Sequence, residues 1–327
     1  MLERACGFES RPGHAVTFDG MTHSLPLRDD VVALFPGQGS LAGRAGVPWR
    51  ESAHWSLVDK ISEASDMDVA YLLLEAGDDE VVRTDRAQIA TFALSLVGYH
   101  ELLDRGMRPR YLLGHSLGEF SALVASGLLS VEDGARLIAV RGAAMAAAAQ
   151  EIDGSMVAVM GGDVTARENL YALSGVWVAN INGTGQIVVS GTREGLDFLL
   201  VNHRDLGWRR VTPLAVGGAF HSPLMASAQA ALDDALASVD WGTTDHVVIA
   251  NVDGVAHSSA ADWRDLLSRQ LTSPVQFLDA TLALPAAVTM SVELPPSGVL
   301  TGLTKRIRDF ERQVSPATPL ELQEMTL

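Results

Sequence analysis

Residues 111–120 read Tyr111-Leu-Leu-Gly114-His115-Ser116-Leu117-Gly118-Glu119-Phe120, an apolar run, a Gly-x-Ser-x-Gly turn and a helix-forming run. Few folds accommodate that order. A strand that turns this sharply into a helix presses backbone against backbone, so a Cβ at either flanking glycine would collide. The serine between them stands exposed at the helix N-terminus. The amide of Leu117 faces the same space and can donate to an oxyanion, aided by the positive end of the helix dipole. Ser116 is therefore the candidate nucleophile, and Leu117 a candidate oxyanion donor.

The rest of the chain gives this elbow a suitable sheet. Apolar runs at Val31–Phe35, Tyr111–Leu113 and Val247–Asn251 read as buried strands. Between them lie helical patterns at Ile89–Leu103, Glu119–Ala125 and Asp133–Ala149, and a last helix is expected near Leu300–Phe310. That alternation predicts an α/β domain, α/β-hydrolase-like, with a parallel sheet. From residue 155 the rhythm changes. Strands at Met156–Met160, Val176–Ile181, Ile187–Ser190 and Trp208–Thr212, with helices at Thr165–Leu173 and Arg193–His203, give the order β-α-β-β-α-β of a small ferredoxin-like subdomain. The expected division is a discontinuous large domain at 31–154 and 213–312, an insert at 155–212, a poorly ordered extension at 1–30 and a loose tail at 313–327. Met21, ten residues ahead of the first strand, is the expected natural start.

Composition excludes several partners. The net charge of −16 would repel nucleic acid. No apolar run is long enough to span a membrane, and a lone cysteine, Cys6, gives no sign of an oxidising compartment. A cytoplasmic protein is expected. All but two of the 24 basic residues are arginine, the exceptions being Lys60 and Lys305.

A serine nucleophile needs a base, and nine histidines are available. His115 adjoins Ser116, but neighbouring side chains at an elbow diverge, so it reads as a packing residue. His221 lies in Gly217-Gly218-Ala219-Phe220-His221-Ser222-Pro223-Leu224-Met225, a glycine-flanked loop where the chain returns from the insert. His14, His23, His54, His100, His203, His246 and His257 lie in polar stretches and read as surface residues. Arg141, in the apolar run of the 133–149 helix, is costly there unless something pairs with it. A neighbouring partner, an escape to water and a ligand are all open.

Five spaced motifs bring a family into view. Phe35-Pro36-Gly37-Gln38-Gly39-Ser40, the GHSLGE elbow, Val140-Arg141-Gly142, the GAFHSPLM loop and Leu300-Thr301-Gly302-Leu303-Thr304-Lys305-Arg306 stand in the order seen in malonyl-CoA:acyl carrier protein transacylases. That family includes the free-standing acyltransferases of polyketide synthases, and the resemblance runs from about Val31 to Phe310. It implies Ser116 as the acylated residue, His221 as base, and Arg141 as the clamp on the malonyl carboxylate. It further implies that the Gln38 amide completes the oxyanion hole with Leu117, that Gln88 lies in the active site, and that the Gln276 backbone carbonyl holds the second imidazole nitrogen. Phe220 would fill the space an α-methyl needs, which favours malonyl.

The reaction implied is ping-pong transfer of a malonyl or similar dicarboxylic acyl group. It would pass from coenzyme A through an acyl-serine to the phosphopantetheine thiol of an acyl carrier protein, in fatty acid or polyketide synthesis. A hydrolase clearing stalled carrier proteins and a carrier-to-carrier transferase are the alternatives. A monomer without cofactor or metal is expected; Lys305, Arg306 and Arg308 either dock its acidic carrier protein or are cations that complement the dipole at a helix C-terminus. In one place the chain departs from the family. Glu293-Leu294-Pro295-Pro296-Ser297-Gly298 replaces the usual Gly-Pro-Gly turn, and its two prolines imply a local change of shape in that loop.

Overall fold

The computed structural model describes residues 26–325. Met21 and most of the expected N-terminal extension lie outside them, as do His14 and His23. The described chain forms strands β1 (Arg28–Phe35), β2 (Pro109–Gly114), β3 (Gly154–Met160), β4 (Val176–Gly183), β5 (Gln186–Thr192), β6 (Arg210–Pro213), β7 (Val247–Ile249), β8 (Ala256–His257), β9 (Met290–Glu293) and β10 (Arg312–Val314).

Six of these build one sheet in the order β10-β9-β1-β2-β7-β8, parallel except for β8. Its centre is β1, where Val31–Phe35 are fully buried on both faces, as a strand covered by helices on each side must be. Successive side chains serve different cores. Val31, Ala33 and Phe35 join the cluster that contains Phe92, Phe120 and Leu123, whereas Val32 and Leu34 join Phe277, Leu300 and Ile249 on the other side.

The remaining four strands form an antiparallel sheet in the order β4-β5-β3-β6, the ferredoxin-like arrangement. Its own core contains Val157, Val189, Leu170, Leu199 and the fully buried Trp208. Backbone hydrogen bonds join the small sheet to the segment that precedes the helix Phe277–Leu282. Ile181 donates to the Val275 carbonyl at 2.9 Å, and Val275 donates back to Ala179 at 2.8 Å. No helix among the described residues is long and apolar enough to cross a membrane.

Five expectations need correction. The C-terminal tail is not loose: β10 extends the large sheet, and a helix at Pro319–Glu324 buries Leu322 to 1% exposure, while Trp49 Nε1 donates to the Ala317 carbonyl at 3.0 Å. Six helical residues are too few to show a repeating apolar face, which hid this element from the periodicity reading. The expected 300–310 helix stops at Thr304, because the chain turns there and Arg308 clasps the carbonyls of Leu284, Pro285 and Val288 at 2.5–2.8 Å. Arg308 is thus a structural clasp, not a docking residue. His246 is buried, not a surface residue, with Nδ1 2.8 Å from the Pro109 carbonyl, and burial depresses its pKa to about 4; His100 is half-buried and depressed to about 4 for the same reason.

The departure at 293–298 has a structural use. The Glu293 carboxylate accepts from the amides of Leu300 and Thr301 at 2.8 and 2.7 Å, capping their helix, and the Pro295 carbonyl accepts from Ser95 Oγ at 2.7 Å. Ser297 Oγ reaches the Ser315 and Pro316 carbonyls at 3.0 and 3.1 Å, which ties the loop to the C-terminal segment.

If the C-terminal segment belongs to the core, Leu322→Ala should destabilise the protein by about 2–4 kcal/mol, the usual cost of such a truncation. Chemical denaturation measures it. A change within about 0.5 kcal/mol would mean that the segment packs loosely.

Candidate active site

The elbow forms for the steric reason its sequence suggests. A Cβ on Gly114 would lie 2.0 Å from the Gly118 carbonyl carbon, and one on Gly118 would lie 1.9 Å from the Phe35 oxygen. Between them Ser116 is held at φ 53° and ψ −108°, outside the regions ordinary residues prefer, at the N-cap of the helix Leu117–Ser126. Asn251, just beyond β7, secures the strained turn: its Oδ1 accepts from the Ser116 amide at 2.6 Å and its Nδ2 donates to the Gly114 carbonyl at 2.7 Å.

His221 arrives from the other side and is also at positive φ, 56°. Its Nε2 lies 2.7 Å from Ser116 Oγ, and its Nδ1 lies 3.0 Å from the Gln270 backbone carbonyl. With Nδ1–H donated to that carbonyl, Nε2 carries the lone pair that can take the serine proton. The small sheet steadies this loop, since Ser190 Oγ on β5 donates to the Phe220 carbonyl. Burial first, and the Arg141 charge second, depress the His221 pKa to about 3, so the imidazole is neutral at pH 7.

Arg141 is fully buried on the helix Val131–Glu151, whose start is capped by Ser130 accepting from the Asp133 amide. Its Nη1 donates to Gln88 Oε1 at 2.6 Å. Its Nη2 donates to Gln270 Oε1 and to Ser116 Oγ, both at 3.0 Å. The ring of Phe120 lies 5.4 Å from the guanidinium carbon. Desolvation lowers the Arg141 pKa to about 9, which still leaves the group charged at neutral pH. Gln88, on the helix Thr84–Asp104, is fixed in turn by a 3.2 Å contact from Nε2 to Met145 Sδ.

The structure therefore brings together Ser116, His221, Arg141, Gln88 and Leu117, the first residue of the elbow helix. Phe220 is buried beside His221, and Gln38 opens a short 3-10 turn after β1 whose neighbour Gly37 packs on the His115 carbonyl, 3.1 Å from where a Cβ would lie. Gln276 does not join them. The carbonyl that holds the imidazole is that of Gln270, because residues 271–275 turn back to pair Val275 with β4 and carry Gln276 past the ring. Gln276 instead donates its amide to the Asn251 carbonyl at 2.7 Å.

Asn251, Gln270, Glu119, Asn182 and Ser190 were missed as site residues. Asn251 stands at the C-terminal end of a parallel strand, where α/β sheets place their sites, and that signal was available. Asn182 Oδ1 meets His115 Nε2 at 2.9 Å, which makes His115 a link to the small sheet. Glu119, inside the elbow motif, is fully buried. It accepts from the Asn251 amide at 2.6 Å and from Gln270 Nε2, and burial pushes its pKa up to about 7. Gln270, in the polar run Arg264–Gln270, carried no signal.

A strained serine at a strand-to-helix turn, hydrogen-bonded to an imidazole that a backbone carbonyl orients, is the geometry a serine nucleophile requires. Residues 34–321 match the family model described as acyl transferase domain. A malonyl CoA-acyl carrier protein transacylase of Bacillus subtilis is 35% identical over 91% of this chain and 97% of its own length. The crystal structure of the Mycobacterium tuberculosis MCAT superposes with a TM-score of 0.84 at 34% identity, over 90% of this chain and 98% of that one. A malonyl-transacylase solved with its type II polyketide synthase acyl-carrier protein gives 0.84 at 28% identity, over 90% and 98%. The chain belongs to the malonyl-CoA:acyl carrier protein transacylase family.

The charges in the site make its histidine testable. The His221 imidazole should remain neutral as pH falls from 8 to 5, and Arg141→Gln should move its pKa upward by removing a neighbouring cation. Ring-nitrogen NMR shifts report the protonation state. A wild-type titration near pH 6.5 would contradict the buried, Arg141-facing placement.

Proposed function

We infer that this chain transfers a malonyl group from malonyl-CoA to the phosphopantetheine thiol of an acyl carrier protein. The observation that carries the reading is the Arg141 guanidinium, buried and reaching Ser116 Oγ at 3.0 Å. A cation at that depth is costly to bury, and a carboxylate one methylene from the reacting carbonyl would repay the cost.

In the first half-reaction His221 Nε2 takes the Ser116 proton and Oγ attacks the thioester carbon. The Leu117 and Gln38 amides receive the developing oxyanion, and coenzyme A leaves as the thiol, carrying the proton. In the second half the carrier protein's thiol attacks the acyl-serine, and the proton returns to Ser116. The neutral carbonyl behind His221 fixes the tautomer without adding negative charge. Phe220 bounds the space beside the malonyl methylene. A hydrolase acting on uncharged acyl groups would gain nothing from Arg141.

Solved and curated relatives serve malonyl transfer to acyl carrier proteins, one of them in polyketide synthesis, and fatty acid or polyketide synthesis in the cytoplasm fits this chain. The large unit at 31–154 and 213–312 carries the nucleophile. The insert at 155–212 supports the histidine loop, and the enzyme acts as a monomer. With Arg308 committed to backbone carbonyls, carrier-protein docking falls to the exposed Lys305 and Arg306, the latter bonded to Gln186 Oε1 at 2.7 Å.

Arg141→Ala should reduce malonylation of Ser116 severely while acetyl transfer falls far less, shifting the malonyl-to-acetyl preference by on the order of 10². Acyl-serine formation from each thioester is the measurement. An unmoved preference would make Arg141 structural and remove the basis for a carboxylated substrate. Separately, Arg306→Glu should raise the carrier-protein KM several-fold at low salt and leave the malonyl-CoA KM unaltered; an unaffected carrier-protein KM rejects this docking residue.

A further inference from the structure

Gln270 has two jobs in this site, and different atoms do them. Its backbone carbonyl holds His221, while its side-chain carbonyl accepts from Arg141 Nη2 at 3.0 Å. An amide has a wrong way round. Turned over, Gln270 would aim its NH₂ at the guanidinium, donor against donor, and leave the Ser116 carbonyl without the hydrogen it now receives from Nε2 at 2.9 Å.

The group that fixes the orientation is Glu119. Its Oε1 is occupied by the Asn251 backbone amide at 2.6 Å, a donor that cannot turn over, and its Oε2 receives Gln270 Nε2. The carboxylate is fully buried. We propose that Glu119 is a positioning residue for substrate selection: by offering only acceptors to Gln270, it locks that amide with its oxygen toward Arg141 and so aims the guanidinium at the carboxylate of the acyl group. This rests on the reading of Arg141 as the malonyl clamp.

The consequence follows from the chemistry of one substitution. In Glu119→Gln the Asn251 amide keeps the side-chain oxygen, so the new NH₂ must occupy the place of Oε2 and faces the Gln270 NH₂. Gln270 relieves the clash by turning over, which costs Arg141 an acceptor and puts a donor against it. His221 keeps its carbonyl, because that belongs to the backbone. Glu119→Gln should therefore injure recognition of the acyl carboxylate more than acyl transfer itself. Glu119→Asp, which still offers only acceptors, should preserve the selectivity.

The experiment, run at pH 8.5 where the Glu119 carboxyl, pushed up to about 7 by burial, is ionised, measures Ser116 acylation by malonyl-CoA and by acetyl-CoA in the full-length wild type and in E119Q, E119D, Q270M and E119Q/Q270M, with thermal melting of each. The malonyl-to-acetyl preference should fall at least ten-fold in E119Q and in Q270M and stay within three-fold of wild type in E119D. In the Q270M background, E119Q should change the preference far less than it does in the wild type, since only the through-space attraction between the Glu119 carboxylate and Arg141 is left to lose. An unchanged preference in E119Q, or additive effects in the double variant, overturns the proposal. Should E119Q fail to fold, Q270M decides: a preference equal to wild type overturns it. A wild type with no malonyl preference would instead reject the reading of Arg141, and an Arg141→Ala variant that loses selectivity while E119Q keeps it would reject Glu119 alone.

Discussion

A guanidinium with no solvent exposure must be held from several directions at once, and the active site is organised around that requirement. The three acceptors of Arg141 are Gln88 Oε1, Gln270 Oε1 and Ser116 Oγ, all neutral. They come from three separate segments of the chain. Had one of them been a carboxylate, the cation would already be paired and a substrate anion would gain little. Neutral acceptors keep the charge oriented and incompletely compensated, which is the condition for a buried anion receptor. The cost appears as the downward shift of both the Arg141 and the His221 pKa.

Strain is placed where the chemistry needs it. The two residues that share the 2.7 Å contact, Ser116 and His221, are both non-glycine residues at positive φ. Each is over-determined by neighbours: Asn251 and the packed glycines for the serine, Gln270 and Ser190 for the histidine. Ser190 and Asn182 belong to the antiparallel sheet, so the insert is part of the support of the active site and not an appendage. The exchange of hydrogen bonds between Val275 and β4 fixes the same junction.

Part of this architecture could be read from periodicity, although the three-turn helices Ser56–Ser65, Ala226–Leu236 and Ala260–Gln270 and the four-residue strand β9 were not expected. Val31–Phe35 and the βαββαβ insert announce themselves. The elbow was legible for a stronger reason, namely that Gly114 and Gly118 have no steric alternative. What could not be read was which distant carbonyl or amide meets a given side chain. Gln276 and Gln270 are six positions apart on the same stretch, and only the turn at 271–275 decides which of them faces the imidazole. Arg308 and His246 look like surface residues in sequence, since their partners are backbone carbonyls 20 or more positions away, a relation that composition does not encode. The C-terminal helix failed for a third reason, its shortness.

The central claim is that Ser116 carries a carboxylated acyl group between two thiols. Intact-mass and peptide-mapping spectra after mixing with malonyl-CoA test it directly. One malonyl adduct should map to Ser116, be absent in Ser116→Ala, and disappear when a holo acyl carrier protein is added, with the malonyl group recovered on the pantetheine thiol. A full adduct on the alanine variant, or loss of the adduct to free malonate with none on the carrier protein, would contradict the account.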